Sequence, residues 1–306
     1  MRLLRKIMIM VLFSCAMSTM LCAANDEPVA DEKPFSRFIK PMTNPVYFDD
    51  ARNETYIHVI HVYQNLPHYI STTLGRLPLD GQLNLTALRV NVALNERFSL
   101  LAAKDGYIDF DPDETLKDES GAADIAAGLK YAFLYYPEQE FILSGKVLFE
   151  LTHGTNEVFQ GNGDGNAAPS FTFLKGFDKF QFEGTLGWIL PFNHNEESTM
   201  FYNSWHVSYA VTPHIFPLLE LNHFRVIRGA HRDALVPSIV RFEGGDVINL
   251  GSEHGLDHRD FVSMAAGLRY RVFKNLDLGF AFEWPLTDEN IGLMQNRYSF
   301  DLILHF

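Results

Sequence analysis

The sequence predicts an all-β fold: a transmembrane antiparallel up-and-down β-barrel of about twelve strands, with short periplasmic turns and longer extracellular loops. Three observations predict it. Segments from residue 52 to the end alternate apolar and polar side chains at the two-residue period of a strand, so each has one face of each kind. The links between these segments are short and long by turns, as an up-and-down barrel requires. Past the first two dozen residues, no run approaches the ~18 apolar residues of a membrane helix, so any crossing is made by strands.

The chain opens with Arg2, Arg5 and Lys6, an apolar run over 7–21, and Cys22-Ala23-Ala24. A basic start, a short apolar core and small residues at the cut describe a signal peptide over 1–24 that directs export. Residues 25–51 carry Pro28, Pro34, Pro41 and Pro45 among charges and read as an extended periplasmic leader, with the barrel over 52–306.

In the first strand Tyr56, His58, Ile60 and Val62 interleave with Ile57, Val59 and His61, and the lipid face is ambiguous. The second sets Leu88, Val90, Val92 and Leu94 against Arg89 and Asn91; the third begins at Phe98, Leu100 and Ala102 and runs towards Asp109. The fourth places Ala127, Leu129, Tyr131, Phe133 and Tyr135 on one face and Gly128 and Lys130 on the other. The fifth opposes Phe141, Leu143, Val147 and Phe149 to Ser144, Lys146 and Glu150, and Phe171 and Phe173 mark the sixth. The seventh turns Phe180, Phe182, Leu186, Trp188 and Leu190 away from Gln181, Glu183 and Thr185; the eighth has Trp205, Val207 and Tyr209 around His206 and Ser208; the ninth has Leu219 and Leu221 around Glu220. Val262, Met264, Leu268 and Tyr270 face away from Arg269 and Arg271 in the tenth, and Leu278, Phe280, Phe282 and Trp284 from Asp277 and Glu283 in the eleventh. Tyr298, Phe300, Leu302, Leu304 and Phe306 make the twelfth, with Ser299, Asp301 and His305 between them.

Short links fall at 95–97, 137–140, 178, 213–214 and 274–275, and long ones at 65–82, 110–122, 153–169, 191–202, 229–260 and 287–296. The even strand count puts both ends of the barrel on the periplasmic side. Aromatic residues at outward positions near strand ends, Tyr135, Trp188, Trp205, Trp284 and Phe306, fit an interfacial girdle. A soluble sandwich exposing such a belt would aggregate.

The last strand resembles the closing strand of bacterial outer-membrane β-barrels, whose terminal aromatic residue and alternating apolar positions are read by the barrel-assembly machinery. That resemblance implies a Gram-negative outer-membrane location, with outer-membrane lipids as surroundings. Pro217-Leu218-Leu219-Glu220-Leu221-Asn222 after a Thr-Pro turn, with Leu79-Asp80-Gly81 and Lys104-Asp105-Gly106-Tyr107-Ile108-Asp109, looks like pieces of the meta-pathway phenol-degradation, transporter-like barrel family. This implies a channel or transporter for small aromatic or hydrophobic solutes with no covalent step. Porin-like selectivity would then be set by the inward charges Arg89, Lys130, Lys146, Glu150, Glu183, Glu220, Arg269, Arg271, Asp277, Glu283, Arg297 and Asp301, and by loop 229–260. Ser238 to Phe242 and Val247 to Leu250 suggest a small hairpin that folds into the bore.

A net charge of −13 argues against nucleic acid as a partner. Cys15 and Cys22 both lie in the signal, leaving the exported chain without thiolates or disulfides. No cofactor is expected and no metal: His58 with His61 and His254 with His258 are close pairs without a third ligand. Asn162-Gly163-Asp164-Gly165-Asn166 echoes a calcium loop, but Ala167 and Phe173 stand where glycine and glutamate are needed. The acidic run over 109–119 is a solvated face, or one bridged to anionic lipid by divalent cations. An alternative function, lipid hydrolysis, is raised by His206, Ser208 and Glu220. Their order resembles the catalytic set of outer-membrane lipid A deacylases, which implies serine as nucleophile, histidine as base and glutamate as its orienter. A structural or adhesive barrel is the third reading.

Overall fold

Strands that cross hydrocarbon must pair every backbone N–H and C=O, and a sheet does this only by closing on itself. The structure, a computed structural model, describes residues 35–232 and 239–306, and in it the sheet closes. The expected signal peptide, the first part of the expected leader and Ser238 lie outside the described residues. The strands are β1 Tyr56–Asn65, β2 Tyr69–Thr72, β3 Gly75–Pro78, β4 Gln82–Asn95, β5 Phe98–Lys104, β6 Tyr107–Asp111, β7 Glu119–Ala122 and β8 Ile125–Tyr136, followed by β9 Phe141–Leu151, β10 Asn166–Phe177, β11 Phe180–Pro191, β12 Thr199–Tyr209, β13 Ile215–Arg228, β14 Asp260–Phe273, β15 Leu276–Pro285 and β16 Asn296–His305. Twelve form the barrel, antiparallel and in chain order: β1, β4, β5 and β8 to β16. The seam is β1, which pairs along its whole length with β16 (Tyr56↔His305 to Asn65↔Asn296) and with β4 (Tyr56↔Asn91 to Asn65↔Gln82).

The pleat sorts the residues as their chemistry demands. Leu129, Phe171, Leu186, Leu219, Leu268, Phe280 and Phe300 point outward and are exposed, while the residues between them are buried. Phe280 and Phe300 face each other across β15 and β16 with ring centroids 5.1 Å apart. This continuous apolar belt would be a large liability in water and is what lipid requires. The ambiguous first strand resolves with Tyr56, His58, Ile60, Val62 and Gln64 inward.

Two expectations are corrected. Tyr135 does not share the outward face of Leu129 and Tyr131, because a bulge at Phe133 shifts the register between Ala132↔Ser144 and Leu134↔Leu143. Tyr135 then pairs with the inward Ile142, and Tyr136 takes the exposed position. The link expected over 110–122 is strand at both its ends. β6 continues β5 alongside β4 after a break at Asp105 and Gly106, where Gly106 adopts φ 124°, and β7 pairs with β6 above β8. The acidic residues Asp109, Asp111 and Glu119 therefore belong to paired strands.

Phe280→Arg, placing a charge midway along β15 on the lipid face, should destabilise the barrel by about 2–4 kcal/mol. Urea unfolding in lipid vesicles checks this, and an unchanged midpoint would place that face elsewhere than in hydrocarbon.

The plugged interior as candidate functional site

The segment expected to be a periplasmic leader is, from Arg37 onward, inside the barrel. The difference has a physical reason: Phe38, Ile39, Met42, Val46, Tyr47 and Phe48 are too apolar to remain hydrated, and all are buried. Pro41 and Pro45 favour an extended path. Asn44 makes the reversal between them in the left-handed region at φ 51°, which asparagine tolerates better than most residues. Arg37 bonds the carbonyl of Asp178 and pairs with Glu140, both at short turns. At the far end Asn53 donates to the carbonyl of Glu96 in another short turn (3.3 Å). Residues 37–54 thus enter and leave at the turn end, and their tip reaches up to Tyr202 and Phe224, whose rings lie 5.0 and 6.4 Å from that of Tyr47.

The wall grips this segment mainly by its backbone. Gln181 both accepts from Ile39 N–H (2.9 Å) and donates to Ile39 C=O (2.8 Å), imitating a strand neighbour. Glu220 accepts from Met42 N–H (2.9 Å), Thr43 N–H (2.7 Å) and the Thr43 hydroxyl (2.5 Å), and Glu183 accepts from Ala51 N–H (2.7 Å). From the facing strands, Arg89 donates to Pro45 C=O (2.9 Å) and Lys146 to Tyr47 C=O (3.2 Å). Lys130 spends its three N–H donors on Asp50 C=O (2.7 Å), Arg52 C=O (2.6 Å) and the Asp49 carboxylate (3.0 Å). Asp49 is also paired with Arg89. Main-chain groups removed from water must all be satisfied, and this wall supplies the partners.

The remaining inward charges pair with one another. Arg269 makes a bidentate bond to Asp301 (2.9 and 2.8 Å), which also meets His58 (2.8 Å). Arg271 pairs with Asp277 (2.9 Å), Arg297 with Glu283 (3.4 Å) and Lys104 with Glu150 (2.8 Å). The charges expected to line the bore therefore divide into wall cross-links and plug contacts. Ser144, Asn91, Gln181, Ser204 and Asn222 also hold the plug; the sequence placed the first three on polar faces but gave none of the five a role, since nothing marked them until the plug was inside.

His206, Ser208 and Glu220 do come together, but not as a catalytic set. His206 Nδ1 lies 2.7 Å from Glu220, whereas the Ser208 hydroxyl bonds Gln181 (3.3 Å) and not the histidine. All three are buried against the plug, and no lipid can reach them from the outer face. Among the described residues no group of three metal-ligating side chains forms, and Asn166 of the calcium-like loop is buried at the start of β10.

Over the other end lies a cap made from loop 229–260. Val240, Phe242, Ile248 and Leu250 pack on the inward Ile60, Val62 and Leu85 and on Ile70 of the β2–β3 hairpin. The expected hairpin within this loop is absent from the described residues; Val240 instead bridges to Thr72 at the end of β2. Glu243 accepts from the Ser198 hydroxyl (2.5 Å), Leu250 N–H (2.7 Å) and Ser252 N–H (2.8 Å), and Arg297 reaches up to Asp246 (2.8 and 2.9 Å). Beside them burial, reinforced by the charge of Glu150, pushes the Glu197 carboxyl up from 4.5 to about 8.

Because its folded pKa is raised, Glu197 contributes stability that is complete below pH 4.5 and lost as the pH climbs to about 8. The free energy of opening the cap, read from amide exchange at Ser198 and Leu250, should fall by up to about 1.4 kcal/mol per pH unit across that window. Glu197→Gln should flatten the profile, and a profile that the substitution leaves unchanged would contradict the assignment.

No protein-family model and no curated protein matches the chain, so the meta-pathway resemblance rests on the quoted segments alone. Solved structures do match. The COG4313 outer membrane channel from Pseudomonas putida F1 aligns over 90% of this chain and 100% of its own, at TM-score 0.60 and 14% identity. The KdgM porin in complex with disordered oligogalacturonate covers 82% of this chain and 99% of its own (TM-score 0.46, 12% identity), and a Pseudomonas aeruginosa FadL homologue covers 89% and 94% (TM-score 0.44, 10% identity). At such identities the first likeness speaks to the fold alone: this chain has the fold of an outer-membrane β-barrel.

Proposed function

We propose that the protein is a channel of the Gram-negative outer membrane for small aromatic or hydrophobic solutes, held shut by residues 37–54. In this reading residues 1–24 direct export, the barrel-assembly machinery reads the C-terminal strand, and outer-membrane lipids surround the belt. One observation carries the proposal: the plug is a loop of chain with both ends at the turn end, so it can withdraw the way it came without threading. Its attachments are hydrogen bonds and ion pairs that water and solvated side chains can replace, each of modest net strength. A segment meant only to fill the barrel could have been replaced by bulkier inward side chains, as in small filled barrels. Withdrawal would uncover Tyr202, Phe224, Leu148 and Met200, an apolar lining suited to a hydrophobic solute. The hydrolase alternative gains nothing from the geometry, because Ser208 has no bond to His206.

A reversible lock tests the gate. Asn44 Nδ2 and Ser204 Oγ are 3.0 Å apart, and none of the described residues is a cysteine, so Asn44→Cys with Ser204→Cys can tether plug to wall. In planar bilayers the oxidised double variant should be silent and a reductant should restore openings. Equal conductance before and after reduction, with the cross-link verified, would show that the plug does not gate.

A further inference from the structure

Among the described residues the carboxylate of Asp49 is the only anion that the wall cations Arg89 and Lys130 are paired with, and it belongs to the movable segment. Lys146, on β9 next to β8 and in register with Lys130, has no ion pair among the described residues and bonds only the carbonyl of Tyr47. All three cations are buried. The other inward cations of the wall among the described residues, Lys104, Arg269, Arg271 and Arg297, each have a carboxylate on the wall itself. A buried charge is costly unless a partner compensates it, so withdrawal of Asp49 leaves a cationic patch that favours another anion.

Two further features adjoin the patch. The hydroxyls of Ser170 and Tyr202 are buried against each other and have no further hydrogen-bond partner among the described residues. Ser170 is in register with Lys146 on one side and Gly187 on the other, and Gly187 is in register with Tyr202. A side chain at Gly187 would collide with the Tyr202 hydroxyl at 2.5 Å, so the glycine makes room for it. Against this row the plug lays the ring of Tyr47, two residues before Asp49.

We propose that Tyr47 and Asp49 occupy a binding site for an aromatic carboxylate. The solute's ring replaces Tyr47 against Tyr202 and Phe224, and its carboxylate replaces Asp49 between Arg89 and Lys130, with Lys146 alongside. This rests on the channel reading above and narrows its solute class to anions that carry a ring. Displacement of the plug's own ring and carboxylate couples occupancy to opening, because solute and plug compete for the same groups.

The test uses the full-length chain with benzoate and the neutral benzyl alcohol as probes, in calorimetric titration in detergent and in liposome uptake. Asp49→Asn removes the resident anion and should tighten benzoate binding about tenfold, with little gain for benzyl alcohol. Adding Arg89→Gln should cancel that gain, and Arg89→Lys should keep most of it. Heat-modifiable migration on gels identifies folded protein, and Lys146→Met serves if Arg89→Gln does not fold. Absence of benzoate binding to Asp49→Asn, an equal gain for both probes, or indifference to loss of the cation overturns the site. Charge-dependent binding without uptake keeps the site and removes the transport reading. Uptake of both probes without charge-dependent binding keeps the channel and removes the site.

Discussion

Closure of the sheet through β1 is the constraint on which the rest of the structure depends. A single open edge would leave a row of N–H and C=O groups in hydrocarbon, each at a cost of several kcal/mol. Pairing β1 with both β16 and β4 closes the ring of twelve strands. Once the register is set, the pleat decides the rest. One set of residues meets lipid, and the other is confined to an interior with little water.

That confinement explains the density of ionic contacts within. Charges of both signs project inward, and in a low-dielectric space each needs a partner. Most find one on the wall, Arg271 at Asp277 on the adjacent strand and Arg269 at Asp301 two strands away. Arg89, Lys130 and Lys146 on one side, and Glu183 and Glu220 on the other, find theirs in residues 37–54. Cations take carbonyls and the Asp49 carboxylate, carboxylates take N–H groups, and the plug is held across the bore by complementary pulls. In the proposed gate the same polarity is what a competing solute would exchange for, since an apolar seal would offer it nothing.

Much of the fold could be read in the sequence because lipid selects outward residues strictly; Phe280, Phe282 and Trp284 admit one orientation. The bulge at Phe133 could not, because Tyr131, Phe133 and Tyr135 continue the alternation that the backbone breaks. The break that separates β6 from β5 did not show in a segment that reads as one run towards Asp109, and strand β7 was hidden by acidic residues that look like loop. The interior was half legible. Period two identifies Lys130 or Glu220 as inward, but their partners are main-chain groups far away in sequence, such as Thr43 for Glu220. Two signals did point to the plug: apolar residues spaced through a supposed hydrated leader, and the inward cations Arg89, Lys130 and Lys146 on β4, β8 and β9, which outnumber the one inward carboxylate of those strands, Glu150.

Amide hydrogen exchange of the full-length protein in its membrane tests the central claim most directly. If residues 37–54 are held by the wall, the amides of Ile39, Met42, Thr43 and Ala51 exchange orders of magnitude more slowly than in an unstructured peptide, while the Asn95 to Arg97 turn exchanges fast. Exchange of those four amides at peptide rates, with the barrel strands protected, would contradict a plugged interior and everything built on it.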